Sequence, residues 1–249
     1  MNSPTIGNPA TMMRPSGDLQ GRTALSVAAV RAAETEADHP LFSDPYAHLL
    51  LAGAGQVDLP AAGPGYSAAR TKWFDDYVLA AGAAGISQVV VLGAGLDTRA
   101  WRLPWLSDAV VFDVDESTVL AHKTKTMDAS DAQLGAKYVP VPAAVTDDWP
   151  KALREAGFDH NEPTAWVVES LLPDLDDDTR DTLLERITLY SARGSRIAVE
   201  ATAEPDVARW LCCQHWDASS SDARDVMHRY HRGAEAPAPP YVFVCGTLL

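Results

Sequence analysis

Val89-Val90-Val91-Leu92-Gly93-Ala94-Gly95-Leu96-Asp97-Thr98-Arg99 is the stretch that decides the fold of this chain. Three β-branched residues and a leucine make the continuous apolar run expected of a strand buried on both faces, as in a parallel sheet. Gly93 and Gly95 follow at once, where the chain leaves the strand's carboxyl end. Lacking a β-carbon, they admit backbone conformations and a close ligand approach that other residues obstruct. Downstream, Ala109-Val110-Val111-Phe112 reads as a second strand ending in Asp113-Val114-Asp115. An acid about 20 residues beyond a glycine turn suits a ribose hydroxyl. Strand, turn and acid together point to a nucleotide cofactor.

The 249 residues fit one α/β domain able to bury a large core. A net charge of −14 argues against nucleic acid and acidic membranes as partners, because the field of the chain repels polyanions. Cys212, Cys213 and Cys245 form no disulfide framework and fit a reducing compartment, so a cytoplasmic location is expected. No stretch approaches the ~20 apolar residues of a membrane helix, and residues 1–20 lack the apolar core of a signal peptide. These twenty are expected to form a flexible tail.

Outward from the glycine turn, strands and helices alternate, the pattern of a parallel sheet covered on both faces. Upstream, Arg22–Glu36 reads as a helix, Ser43-Asp44-Pro45 caps a short second helix, and Tyr66–Ala84 makes a long third one. Strands are expected at Gln88–Leu92, Ala109–Asp113, Lys137–Val141, Ala165–Val168, Arg196–Glu200 and Tyr241–Cys245. Between them lie helices at Thr98–Leu103, Ser117–Met127, Trp149–Ala156 and from Asp176 through Tyr190. From Pro205 to Tyr230 polarity rises and no element stands out, and Ala234–Pro240 reads as an Ala/Pro linker. The organisation expected is a single domain over 21–249. It comprises a helical cap (21–85), a cofactor-binding core (86–204), a substrate-side segment (205–240) and a terminal strand (241–249).

Beyond the glycine turn, Arg70-Thr71-Lys72-Trp73-Phe74-Asp75-Asp76, Leu92 through Leu103, Val111-Phe112-Asp113-Val114-Asp115, Thr146-Asp147-Asp148-Trp149-Pro150, Glu169-Ser170-Leu171-Leu172 and Gly194-Ser195-Arg196 recur in one pattern. In these motifs the chain resembles the leucine carboxyl methyltransferase-like family of S-adenosylmethionine-dependent methyltransferases, above all its bacterial O-methyltransferase branch, over roughly residues 22 to 202. The resemblance implies the class I methyltransferase fold: a Rossmann-like three-layer α/β sandwich whose seven-stranded sheet is mostly parallel with an antiparallel last strand. It implies S-adenosylmethionine as cofactor and a small-molecule methyl acceptor. It places Arg70 at the methionine carboxylate, which a guanidinium can pair in bidentate fashion. Gly93, Ala94 and Gly95 pass beneath the methionyl and ribose portions. Asp113 or Asp115, flanking Val114, takes the ribose hydroxyls, and Glu169 with Ser170 faces the methionyl amine or the substrate. Ala144 and Val145 flank the adenine.

Three departures from the family pattern stand out. Ala144-Val145 replaces an Asp-Leu pair, removing an adenine contact worth about 1–3 kcal/mol if its partner stays unpaired on burial. Asp174 stands where the family has an aromatic, and the segment before the terminal strand is short. The alternatives these raise are a catalytically degenerate homologue and, from the glycine turn alone, a nicotinamide oxidoreductase, although Thr98 occupies the third glycine position of that fingerprint. No catalytic residue is assigned. A carboxylate acceptor needs no base, while a hydroxyl draws on His39, His48, Tyr66 or Glu169. Cys212, Cys213, His215, His228 and His231 are poorly spaced for zinc, and no metal is expected. Asp97 and Arg99 read equally as a local ion pair or as the cap of the following helix.

Overall fold

The computed structural model describes residues 19–60, 62–106, 108–233 and 238–249. Three helices precede the sheet: α1 (Leu19–Thr35), α2 (Ala47–Leu50) and α3 (Pro64–Ala83). The core then alternates through β1 (Gln88–Leu92), α4 (Arg99–Arg102), β2 (Val110–Asp115), α5 (Ser117–Asp128), β3 (Lys137–Pro142), α6 (Trp149–Glu155) and β4 (Thr164–Val168). A 3-10 turn at Leu172–Asp174 leads to α7 (Asp177–Leu189) and β5 (Arg196–Thr202). The chain closes with α8 (Val207–Cys213), β6 (Trp216–Asp222), α9 (Ala223–Arg229) and β7 (Tyr241–Leu248).

The strands form one sheet in the order β3-β2-β1-β4-β5-β7-β6. Every pairing is parallel except those of β7, which runs antiparallel between β5 and β6. Alternate residues of β1 enter opposite layers, as a pleated strand requires. Val90 and Leu92 face the layer of α6, α7 and α8 with Trp149, Trp166 and Ile187. Val89 and Val91 face α3 and α9 with Trp73, Phe74 and Met227. Fully excluded side chains such as Val90 and Leu92 contribute about 1.5–3 kcal/mol each.

The helix starts have local causes. Asp44 Oδ1 accepts from the amides of Tyr46 and Ala47 at the opening of α2. Asp148 caps α6 through Lys151 N, and Asp176 caps α7 through Thr179 N. Leu19 and Gln20, assigned above to the tail, belong to α1, while the rest of that tail lies outside the described residues, as do 234–237 of the Ala/Pro linker. The larger correction concerns residues 205–230, where no element was expected and α8, β6 and α9 stand. Strand β6 hides because it is a sheet edge: of Trp216-Asp217-Ala218-Ser219-Ser220-Ser221-Asp222 only Trp216 is buried. Such a strand needs no apolar alternation, and its charged and polar residues guard the edge. Among the described residues no helix is long and apolar enough to cross a membrane, and no His/Cys/Asp/Glu group could hold a metal.

Candidate active site

The sheet order reverses between β1 and β4, and such switch points open a crevice at the strands' carboxyl ends. Here β1 turns sharply: the amides of Gly93 and Ala94 both donate to the Val114 carbonyl, at 2.9 and 3.2 Å. Gly93 and Gly95 take φ of +67° and +50°. A β-carbon on Gly93 would stand 3.2 Å from Leu171 Cδ1, and one on Gly95 would stand 3.2 Å from Ala24 Cβ. The positive φ favours glycine at both positions, and a β-carbon would also require Leu171 or Ala24 to give way by a few tenths of an ångström.

The register separates the two acids after β2. Asp113 and Asp115 point to one face, but Asp113 lies level with Val91, inside the sheet, whereas Asp115 is the last residue of its strand. Asp113 is sealed against Lys123 of α5. Burial raises its carboxyl to about 6 against the pull of Lys123. Asp115 opens onto the crevice, its Oδ2 accepting from Gly95 N at 2.6 Å and its Oδ1 from Glu116 N at 2.6 Å.

A cavity of about 220 Å³ occupies this crevice. The glycine turn through Asp97 floors it, Asp115 marks one end, and the segment Glu169–Leu175 forms the other. Helix α1 covers it with Thr23, Ala24, Val27 and Arg31. Arg31 anchors that cover, bonding Asp44 Oδ2 at 2.8 Å and the Leu96 carbonyl.

Beneath the floor runs a buried ionic network. Arg99 Nε donates to Asp75 Oδ1 at 2.7 Å, its Nη1 pairs with Asp97, and its Nη2 lies 2.8 Å from Glu169 Oε2. Arg102 forks onto both oxygens of Asp75 at 2.6 Å. Asp97 Oδ1 also accepts from Arg99 N at 2.6 Å, so the ion pair and the helix cap foreseen as alternatives are both present. Burial alone would raise Asp97, but Arg99, with Arg102, Lys123 and Arg31 behind it, holds it down to about 2. Farther along, Arg70 Nε bonds Glu169 Oε1 at 3.1 Å and its Nη1 lies 3.6 Å from Glu200 Oε2. Tyr66 donates to Glu200 Oε1. Burial, then Glu200, drives the Tyr66 phenol far above its usual range, so it stays protonated.

Of the residues singled out from sequence, Gly93, Ala94, Gly95, Asp115, Glu169 and Ser170 line the cavity. Arg70 sits behind Glu169, buried, with Nη2 lacking any partner. Val114 supplies a carbonyl to the turn while its side chain is core. Ala144 and Val145 follow the end of β3 next to Asp115, through Ala143 N to the Asp115 carbonyl at 3.0 Å, but are not among the lining residues. Val145 packs in the core because its neighbours Val141 and Trp149 do. His39 and His48 are exposed and off the cavity, so neither is placed as its base. Asp174, noted above as a departure from the family pattern, also lines the cavity; missed were α1 as a wall, Leu175 and Glu200. Only Glu200 carried a sequence signal, as an acid at the carboxyl end of a strand read as buried.

The orphan Arg70 nitrogen, the β-carbon-free cradle and the Asp115 carboxylate fit an anion, a close backbone approach and a hydroxylated sugar respectively. This fold is that of the class I S-adenosylmethionine-dependent methyltransferases. The inserted antiparallel β7 distinguishes it from the all-parallel 3-2-1-4-5-6 sheet of nicotinamide enzymes, which removes support from that alternative. Solved structures share the fold. A DUF574 family protein from Streptomyces avermitilis superposes with TM-score 0.56 at 16% identity, covering 89% of this chain and 97% of its own. Magnesium protoporphyrin IX methyltransferase from Synechocystis, solved with its cofactor, gives 0.53 at 10%, covering 94% and 100%.

Residues 24–188 match the leucine carboxyl methyltransferase family, and the chain belongs to it. A Mycolicibacterium gilvum protein named "Putative S-adenosyl-L-methionine-dependent methyltransferase" is 55% identical over 230 residues, covering 91% of this chain and 93% of that one. A Mycobacterium tuberculosis protein of the same name is 36% identical, covering 90% and 93%. Its alignment runs to 292 positions, more than this chain's 249 residues, so it carries insertions that this chain lacks. The M. gilvum relative shares the shorter layout.

Proposed function

We propose that the protein methylates an oxygen, hydroxyl or carboxylate, of a small molecule. Asp115 would accept the ribose hydroxyls, Gly93–Gly95 pass under the ribose and methionyl groups, Glu169 take the amine, and Arg70 the carboxylate. The observation that supports the cofactor roles is the pairing of Asp115 with Gly95 N–H at the switch point, which sets a fixed acid beside a turn that positive φ reserves for glycine.

S-adenosylmethionine, when bound, supplies a methyl group already activated by its sulfonium. What the chain adds is alignment, and holding two reactants in line is worth on the order of 7–11 kcal/mol. A buried, protonated Tyr66 donates a hydrogen bond rather than abstracting a proton. Glu169, clasped by Arg70 and Arg99, is better suited to orient an ammonium than to serve as a base. Transfer to a carboxylate would need no proton step, whereas transfer to a hydroxyl would pass its proton to water, since no side chain among the described residues is placed as a base. A cytoplasmic location belongs to the same proposal and rests on the three free thiols.

Calorimetric titration with S-adenosylhomocysteine tests the cofactor roles. Wild type should bind and be stabilised against heat by mass action. No heat and no stabilisation at millimolar ligand would overturn them. A panel of carboxylates and phenols with labelled cofactor then identifies the acceptor class.

A further inference from the structure

We infer that Glu200 is a positioning residue for the methionyl end of the cofactor, an assignment that rests on the proposed cofactor site. Glu200 sits on β5 and is 1% exposed, so its carboxylate persists only if fully partnered. Those partners belong to the site's wall. Oε1 accepts from Tyr66, and Oε2 accepts from Ser170 N at 2.8 Å and from Ser170 Oγ at 3.3 Å. Arg70 Nη1 is 3.6 Å from the same oxygen.

Two consequences follow for groups of that wall. Ser170 lines the cavity with φ of +55°, a conformation strained for a residue with a β-carbon. Glu200 engages both of its donors and so holds the turn that carries Glu169 and Leu171 against the cavity. Arg70, meanwhile, is held on one edge by Glu169 and on the other by Glu200, which leaves Nη2 buried without a partner. Buried unsatisfied donors are rare in folded proteins. Arg70 does not itself line the cavity, so Glu200 acts on the methionyl carboxylate of the proposed cofactor through the placement of the Arg70 charge behind Glu169 and through the Ser170 turn. Glu200 thereby fixes where the guanidinium charge lies behind the cavity wall. If it merely neutralised a buried arginine, its loss would lower stability and weaken every adenosine ligand alike.

The test compares S-adenosylhomocysteine with 5′-methylthioadenosine, which keeps the adenosine and the sulfur but lacks the amino acid. Glu200→Gln puts an amide donor or a neutral oxygen where Ser170 and Arg70 need an anion. Its affinity for S-adenosylhomocysteine should fall by about 10- to 150-fold, with 5′-methylthioadenosine changed by under about threefold. Glu200→Asp should recover part of the loss by restoring the charge. If wild type binds neither ligand, the cofactor site itself is refuted. If wild type binds both and Glu200→Gln weakens both equally or neither, the positioning role is refuted. Should Glu200→Gln fail to melt cooperatively, Tyr66→Phe removes one donor and leaves the charge. It should weaken S-adenosylhomocysteine selectively by about 2- to 12-fold, and an equal effect on the two ligands refutes the role.

Discussion

Replacing Arg99 with methionine tests whether the network under the cavity floor is coupled as its geometry says. The guanidinium is 3% exposed and touches Asp75, Asp97 and Glu169. Two of these keep a cation without it: Asp75 retains Arg102 at 2.6 Å, and Glu169 retains Arg70 at 3.1 Å. Asp97 alone loses its contacting partner. Breaking a buried pair from one side costs about 3–5 kcal/mol, and because Asp97 borders the cavity the lower end, about 3 kcal/mol, applies. For a chain of this size that lowers Tm by roughly 6–12 °C. Adding Asp97→Asn removes the stranded charge yet keeps an oxygen to accept from residue 99 N, so the double variant should regain about 1–2 kcal/mol relative to Arg99→Met. Thermal and urea unfolding of the four proteins closes the cycle. A single-variant loss under about 1 kcal/mol, or additive losses, would refute the coupling.

Asp97 also sets an acid limit. Its carboxyl is held at about 2, below its ordinary 3.8, so its contribution of about 2 kcal/mol is complete above pH 4 and disappears as pH falls through 2. The stability difference between wild type and Asp97→Asn should shrink over that interval, and a difference independent of pH would count against it. Asp115→Asn turns an amide donor toward Gly95 N–H or leaves a neutral acceptor, so S-adenosylhomocysteine affinity should drop by about 10- to 150-fold; unchanged calorimetry would remove Asp115 from the ribose site. Gly93→Ala forces an alanine to φ of +67° with Leu171 3.2 Å away, which should cost about 1–2 kcal/mol and a lower melting temperature. An unaltered melt would show that the turn relaxes freely.

What the sequence conveys about this protein depends on how local each cause is. Strand β1 and the turn after it are legible because an apolar run and two glycines are neighbours, and the start of α7 is legible because the acids at Asp176 and beyond lie within its first turn. Asp113 and Asp115 could not be told apart, since the difference is one pleat of depth, set by where α5 brings Lys123. Strand β6 escapes because an edge strand beside β7 asks little of its side chains beyond Trp216. The site's inner contacts are the least legible. Glu200 meets Ser170 across 30 residues and Tyr66 across 134, and Arg70 meets Glu169 across 99. None of these separations leaves a periodic trace, so the partners become visible only when the crossovers set β4 and β5 beside α3. The cofactor's cradle is written in consecutive residues, whereas the groups that aim at it are assembled by the fold. A variant at Gly93 therefore acts through one turn, while a variant at Glu200 or Arg99 acts through several elements at once.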